Sequence, residues 1–170
     1  PRLDAWLTTF LGVPATTYSR AVGRKFLIGA VARIEEAGCQ VDHVPVLEGP
    51  QGIGKSSAVR ALFSPWFSDC LPDLTSKDAH IALQGVWCIE IAELDALQRA
   101  EASRVKAFVT TRVDRFRFPY DKRMSEVPRA TVFVGTTNSD KHIDAYLHTN
   151  TDVDTNRHCR SRDPGGQYHQ

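Results

Sequence analysis

The chain has 170 residues, 42% of them hydrophobic and 24% charged, with 21 lysines and arginines against 20 aspartates and glutamates. That length suits one domain with a sizeable core, and a formal net charge of +1 excludes a polycation, so any affinity for nucleic acid has to come from a local patch. No apolar stretch is long enough to span a bilayer and no signal peptide is visible, so no membrane partner is expected; Cys39, Cys70, Cys88 and Cys159 form no C-x-x-C pair and suit a reducing, cytoplasmic setting.

Leu3, Trp6, Leu7, Phe10 and Leu11 fall on one helical face, and Gly12 stops it. A second helix is predicted over 19–37, with Val22, Phe26, Leu27, Val31 and Ile34 as its apolar face and Gly38 as its end. Both belong to a helical lead-in over 1–43. Residues 44–47 read as a short buried strand. The run Gly49-Pro50-Gln51-Gly52-Ile53-Gly54-Lys55-Ser56 follows it and fits G-x-x-x-x-G-K-[ST], the phosphate-binding P-loop. A helix then begins at Ser57, with Ala58/Leu62 and Val59/Phe63 paired at i,i+4. Strand, glycine loop and helix is the context this motif needs. Glycines let backbone N–H groups close around phosphate oxygens, and the helix points its positive end at them. Lys55 can reach the β- and γ-phosphates, and Ser56 can ligate Mg²⁺. Ser57 closes the expected nucleotide-binding set. A plain glycine-rich turn is the alternative.

Pro65 breaks the helix, and 66–78 reads as loop. Residues 86–89 form a continuous apolar run, the mark of a strand buried on both faces. Glu90 ends that run and Glu93 lies just beyond. In a nucleoside triphosphatase, one acid after such a strand holds Mg²⁺ and a second orients the attacking water. The plainer reading is a strand end followed by a helix start, since a helix is predicted over 93–111 and Glu is favoured in a first turn. Residues 113–127 alternate around Pro119-Tyr120-Asp121 and predict a hairpin. From Arg104 to Arg129 there are eight basic residues against three acids, a local net of +5, with Phe116, Phe118 and Tyr120 interleaved. Arg112, Arg115, Arg117, Lys122 and Arg123 can track phosphates, and Tyr120 can stack on a base; a solvated hairpin with core-facing Phe is the alternative. Residues 131–134 predict another buried strand, ending at Gly135. Thr136-Thr137-Asn138 follow at its carboxyl end, where ligands bind in open α/β sheets. Asn138 is the preferred contact there for the γ-phosphate or the attacking water, Thr137 the second; a plain turn is the alternative, since Asn and Thr are common turn formers. The last 32 residues, 139–170, are poor in apolar side chains and are expected to be a loose, divergent tail. Strands alternating with helices give an α/β domain with a largely parallel sheet, its core spanning 44–138.

Taken in order, these runs resemble the virulence-associated E family of phages, prophages and mobile elements. The resemblance covers residues 1–138. It rests on Ala21-Val22-Gly23-Arg24-Lys25-Phe26-Leu27, the 47–56 run, Ser76-Lys77-Asp78, and Trp87-Cys88-Ile89-Glu90-Ile91-Ala92-Glu93-Leu94. It continues through Lys106-Ala107-Phe108, the 113–120 run, Pro128-Arg129 and Val132-Phe133-Val134-Gly135-Thr136-Thr137-Asn138. The family is a P-loop ATPase related to superfamily 3 helicases and primase–helicases. The resemblance therefore implies an AAA+-like fold, ATP and Mg²⁺ as ligands, Glu90 and Glu93 as the acidic motif, and Asn138 as the γ-phosphate sensor. It further implies that the 113–127 hairpin contacts DNA, single-stranded by preference, and that the full-length protein assembles as a homo-oligomeric ring. Where the family carries paired arginines before an aromatic and a proline, this chain has Thr155-Asn156-Arg157-His158-Cys159-Arg160. That departure keeps open a nucleotide-dependent DNA-binding module with little hydrolysis. A P-loop small-molecule kinase is the third reading.

Overall fold

The computed structural model describes residues 2–70, 73, 76, 78–94 and 99–138; the expected loose tail at 139–170 lies outside the described residues. Helix α1 (Arg2–Leu11) packs against α2 (Thr17–Glu35). Thr16 caps α2: its Oγ1 accepts from the Ser19 N–H, and the Thr16 N–H donates to Ser19 Oγ, both at 3.0 Å. Trp6 Nε1 donates to the Gly23 carbonyl at 2.9 Å. Only glycine allows that approach, since a Cβ at 23 would stand 2.8 Å from the indole nitrogen. Of the predicted α2 face, Phe26 is fully buried, but Val31 and Ile34 are about half exposed. Apolar spacing marked the helix without separating a core stripe from an open one. The chain turns at Gly38, whose φ of 82° is left-handed.

Four strands form one sheet in the order β1 (Val46–Glu48), β6 (Val132–Thr137), β3 (Cys88–Ile91), β2 (Phe67–Ser68), and every pairing is parallel. Strand β2 falls where sequence predicted loop; two residues carry no periodicity to read. Strands β3 and β6 each run further than the apolar stretches suggested, so Glu90 lies within β3, and β6 passes through Gly135 to Thr137.

Side chains alternate across this sheet and build two cores. On one face Cys88, Val132 and Val134 meet Phe26 and Ala30 of α2 and Val59 and Phe63 of α3 (Lys55–Phe63). On the other, Ile89, Ile91 and Phe133 meet Val105, Phe108 and Val109 of α4 (Arg99–Val109), with Ala79 and Leu83 beside them. The molecule is a mixed α/β domain, a parallel sheet with helices on both faces. Predicted to begin near Glu93, the fourth helix is assigned from Arg99, and Glu93 itself has a left-handed φ of 54° that no helix admits.

The predicted hairpin is present: β4 (Val113–Phe116) pairs antiparallel with β5 (Ser125–Pro128). Its base is anchored by a buried charge network. Asp114, 1% exposed, accepts from Arg129 through Nε at 3.0 Å and through Nη2. It also faces His80 Nδ1 at 2.6 Å. Arg129 donates through Nη1 to the Phe108 carbonyl, and its guanidinium lies over the Phe108 ring, 4.6 Å from the centroid. Buried Arg33 donates to the carbonyls of Arg129 (3.3 Å) and Thr111 (3.5 Å).

Candidate functional site

Strand β1 and helix α3 are joined by the glycine loop, and three of its glycines have positive φ. Gly54, at φ 88°, is the N-cap of α3, and no side chain caps the first turn. The orphan N–H groups at that helix start therefore face outward as a ready anion site. Because β6 lies between β1 and β3, the carboxyl ends of all three strands converge beside this loop. They enclose a cavity of about 330 Å³ lined by Gln51, Gly52, Gly54, Lys55, Ser56, Ser57, Glu90, Ala92, Glu93, Thr136, Thr137 and Asn138.

Residues far apart in sequence touch there. Lys55 Nζ donates to the Gly49 carbonyl (2.7 Å), the Pro50 carbonyl (2.9 Å) and Asn138 Oδ1 (3.1 Å). A phosphate oxygen could exchange with a neutral carbonyl for a shorter, charge-assisted bond. Ser56 Oγ donates to Glu90 Oε1 at 2.6 Å. Thr136 Oγ1 donates to the same oxygen at 2.7 Å. Glu90 is 1% exposed, and its other oxygen, Oε2, is buried without a hydrogen-bond partner. An orphaned carboxylate oxygen beside a serine hydroxyl fits a divalent cation completed by phosphate oxygens. Among the described residues no cluster of three or more His, Cys, Asp or Glu could hold such an ion unaided. Burial, with Glu90 nearby adding to it, pushes the Cys88 thiol up to about 12.

Gly49, Pro50 and Ile53 complete the loop without lining the cavity. The exposed Ile53 side chain lies close to Gly49: a Cβ there would stand 2.8 Å from Ile53 Cδ1. Glu93 is exposed at the rim, with its left-handed backbone turning it out of β3. Thr136 is the residue sequence reasoning passed over. It stood in the polar run after the apolar stretch, but nothing in a linear pattern ties it to Glu90, 46 positions earlier.

The candidate nucleic-acid residues lie on and beside the separate β4–β5 hairpin, which leads into the end of β6 opposite Asn138. Tyr120 stands at the turn between β4 and β5, fully exposed at 105% with a left-handed φ of 68°. Arg117, Lys122 and Arg123 are exposed around it, and Phe118 packs edge-on to Phe116 at 4.9 Å. Arg115 pairs across the strands with Glu126 at 2.9 Å. Arg112 is placed differently: at the hairpin base its Nε donates to the Gly38 carbonyl at 2.8 Å. Arg112 is nonetheless exposed, whereas Arg129, counted in the basic stretch, is buried against Asp114 and contributes no charge to the surface.

The sequence profile of the virulence-associated protein E-like domain matches residues 1–151. The chain belongs to the virulence-associated protein E-like family. A search of curated proteins finds no match. Among solved structures, an A-form apo structure of the NrS-1 C-terminal region (305–718) is 16% identical with a TM-score of 0.50, over 82% of this chain and 33% of that one. A second apo structure of that region is 18% identical with a TM-score of 0.48, over 82% of this chain and 34% of that one. These likenesses concern the fold, and the family domain described here spans about a third of the NrS-1 chains. No helix among its described residues is long and apolar enough to cross a membrane.

Proposed function

We propose that this domain binds and hydrolyses ATP as the AAA+-like P-loop motor of a phage or mobile-element replication protein that acts on DNA. One observation carries the reading. Lys55, Ser56, Glu90 and Asn138, from three separate segments, line one cavity at the carboxyl ends of parallel strands, joined by Lys55–Asn138 and Ser56–Glu90 hydrogen bonds. Lys55 and the N–H groups opening α3 bind the β- and γ-phosphates. Ser56 and Glu90 would hold Mg²⁺, which neutralises phosphate charge when bound. Glu93 orients a water and takes up its proton as the water oxygen attacks the γ-phosphorus, and the bond to the β-phosphate oxygen breaks to leave ADP and phosphate. Asn138 reads the γ-phosphate while bonded to Lys55. The exposed hairpin residues Arg115, Arg117, Tyr120, Lys122 and Arg123 contact single-stranded DNA, with Arg112 supporting the hairpin base. Assembly into a homo-oligomeric ring and a cytoplasmic setting belong to the same reading.

Lys55→Ala in an ATPase assay on assembled protein tests this, with a loss of at least about 100-fold expected for removing a cation aimed at developing phosphate charge. Unchanged turnover would remove the glycine loop from the mechanism. The divergent 155–160 segment favours a second reading, a nucleotide-dependent DNA-binding module that hydrolyses little. Salt-dependent DNA binding with no phosphate release would select it.

A further inference from the structure

We infer that Thr136 is a positioning residue that fixes the orientation in which the Glu90 carboxylate is presented to the metal; this rests on the proposed Mg²⁺–ATP reading of the cavity. In the parallel register of β3 and β6, Glu90 stands opposite Val134 and Ile91 opposite Gly135. Thr136 is the next residue on the Glu90 face, its diagonal neighbour across the ladder. Its side chain is buried, and the hydroxyl donates to Oε1 at 2.7 Å. Ser56 Oγ donates to that same atom from the first turn of α3.

Both donors on Glu90 thus converge on Oε1 and leave Oε2 buried with its lone pairs unmet. A carboxylate can turn broadly about its last bond. A half-turn only exchanges two equivalent oxygens, but the two hydroxyls restrain every rotation short of that, because tilting the carboxylate plane away would break both hydrogen bonds at once. Ser56 cannot do this unaided, since its own oxygen is expected to face the cation. Thr136 has no such second duty. It holds the carboxylate from the sheet side, and the oxygen left over is the one that meets the metal or a metal-bound water.

The test is Mg²⁺-dependent binding of a fluorescent ATP analogue to the full chain, with Thr136→Val, Thr136→Ala and Thr136→Ser beside the wild type. Loss of such a supporting hydrogen bond weakens metal affinity by about 10- to 100-fold. The Mg²⁺ midpoint should rise by that factor in the Val and Ala variants, stay near wild type in the Ser variant, and nucleotide affinity in excess EDTA should be unchanged in all. An unshifted midpoint in both Val and Ala overturns the inference. So does an equal loss of affinity in EDTA, or failure of both to unfold cooperatively, either of which makes Thr136 a residue of the fold. If the wild type binds no nucleotide in a Mg²⁺-dependent way, the ATP reading itself is refuted; if it does and only the variants behave like it, Thr136 alone is.

Discussion

Replacing Asp114 by Asn tests how the hairpin is held. The substitution keeps volume, so no cavity contributes, and it removes one charge from a pair in which both partners are buried. Arg129 would keep its bond to the Phe108 carbonyl and its place over the Phe108 ring, but lose its counter-ion. Breaking a buried pair by removing one partner costs about 3–5 kcal/mol. The Asn oxygen still accepts from one guanidinium nitrogen, which favours the low end, about 3 kcal/mol or roughly 150-fold in the folding equilibrium. In a domain of this size that corresponds to a fall in Tm of about 6–12 °C. Urea unfolding followed by circular dichroism measures it. His80→Ala, which removes only a partly exposed partner of the same carboxylate, should cost less than about 1 kcal/mol. An Asp114→Asn loss below 1 kcal/mol, or one no larger than that of His80→Ala, would refute the view that this ion pair anchors the hairpin.

At pH 8 the Cys88 thiol, pushed up to about 12 and buried, should resist iodoacetamide while exposed Cys70 is alkylated, as mass spectrometry of the folded chain reads out. Tyr120→Ala should weaken single-stranded DNA binding by about 1–3 kcal/mol, and each of Lys122→Ala and Arg123→Ala should lower the log–log salt slope by about 0.7, while Arg115→Ala, whose side chain already pairs with Glu126, should do less; equal effects at all positions would argue against a specific tip contact. Gly54→Ala forces a side chain onto a φ of 88° and should cost about 1–3 kcal/mol of stability together with nucleotide affinity, measured by thermal melting and ligand titration; a fully stable variant would show that the loop tolerates another backbone.

What could be read from the sequence was whatever lies within one segment. The glycine loop, the buried strands and the hairpin each carry a local pattern, and the alternation of strand and helix set the parallel sheet. Pairings across the chain carry none. Counting charges made Arg129 and Lys122 equivalent, although one lies buried against Asp114 and the other stands exposed near the hairpin tip. The Thr136–Glu90 bond depends on the register of two strands, and register is visible only once they are side by side. Helix ends were misjudged where backbone geometry overrules composition, as at Glu93, an acid suited to a first turn whose φ is left-handed. The apolar face read on α2 is covered only in part, with Val31 and Ile34 half open, because periodicity gives a face without saying what covers it.

Strand β6, about 20 Å long, pairs with β3 over Val132–Gly135 and with β1 over Gly135–Thr137. Asn138 follows one end, and Arg129, tied to the hairpin, precedes the other. Every residue of the strand is laddered on one side or the other, and Gly135 on both, so a kink anywhere would break pairing. One paired strand thus joins the segment that carries Asn138 to the buried base of the hairpin, and the two candidate sites share a single stretch of backbone.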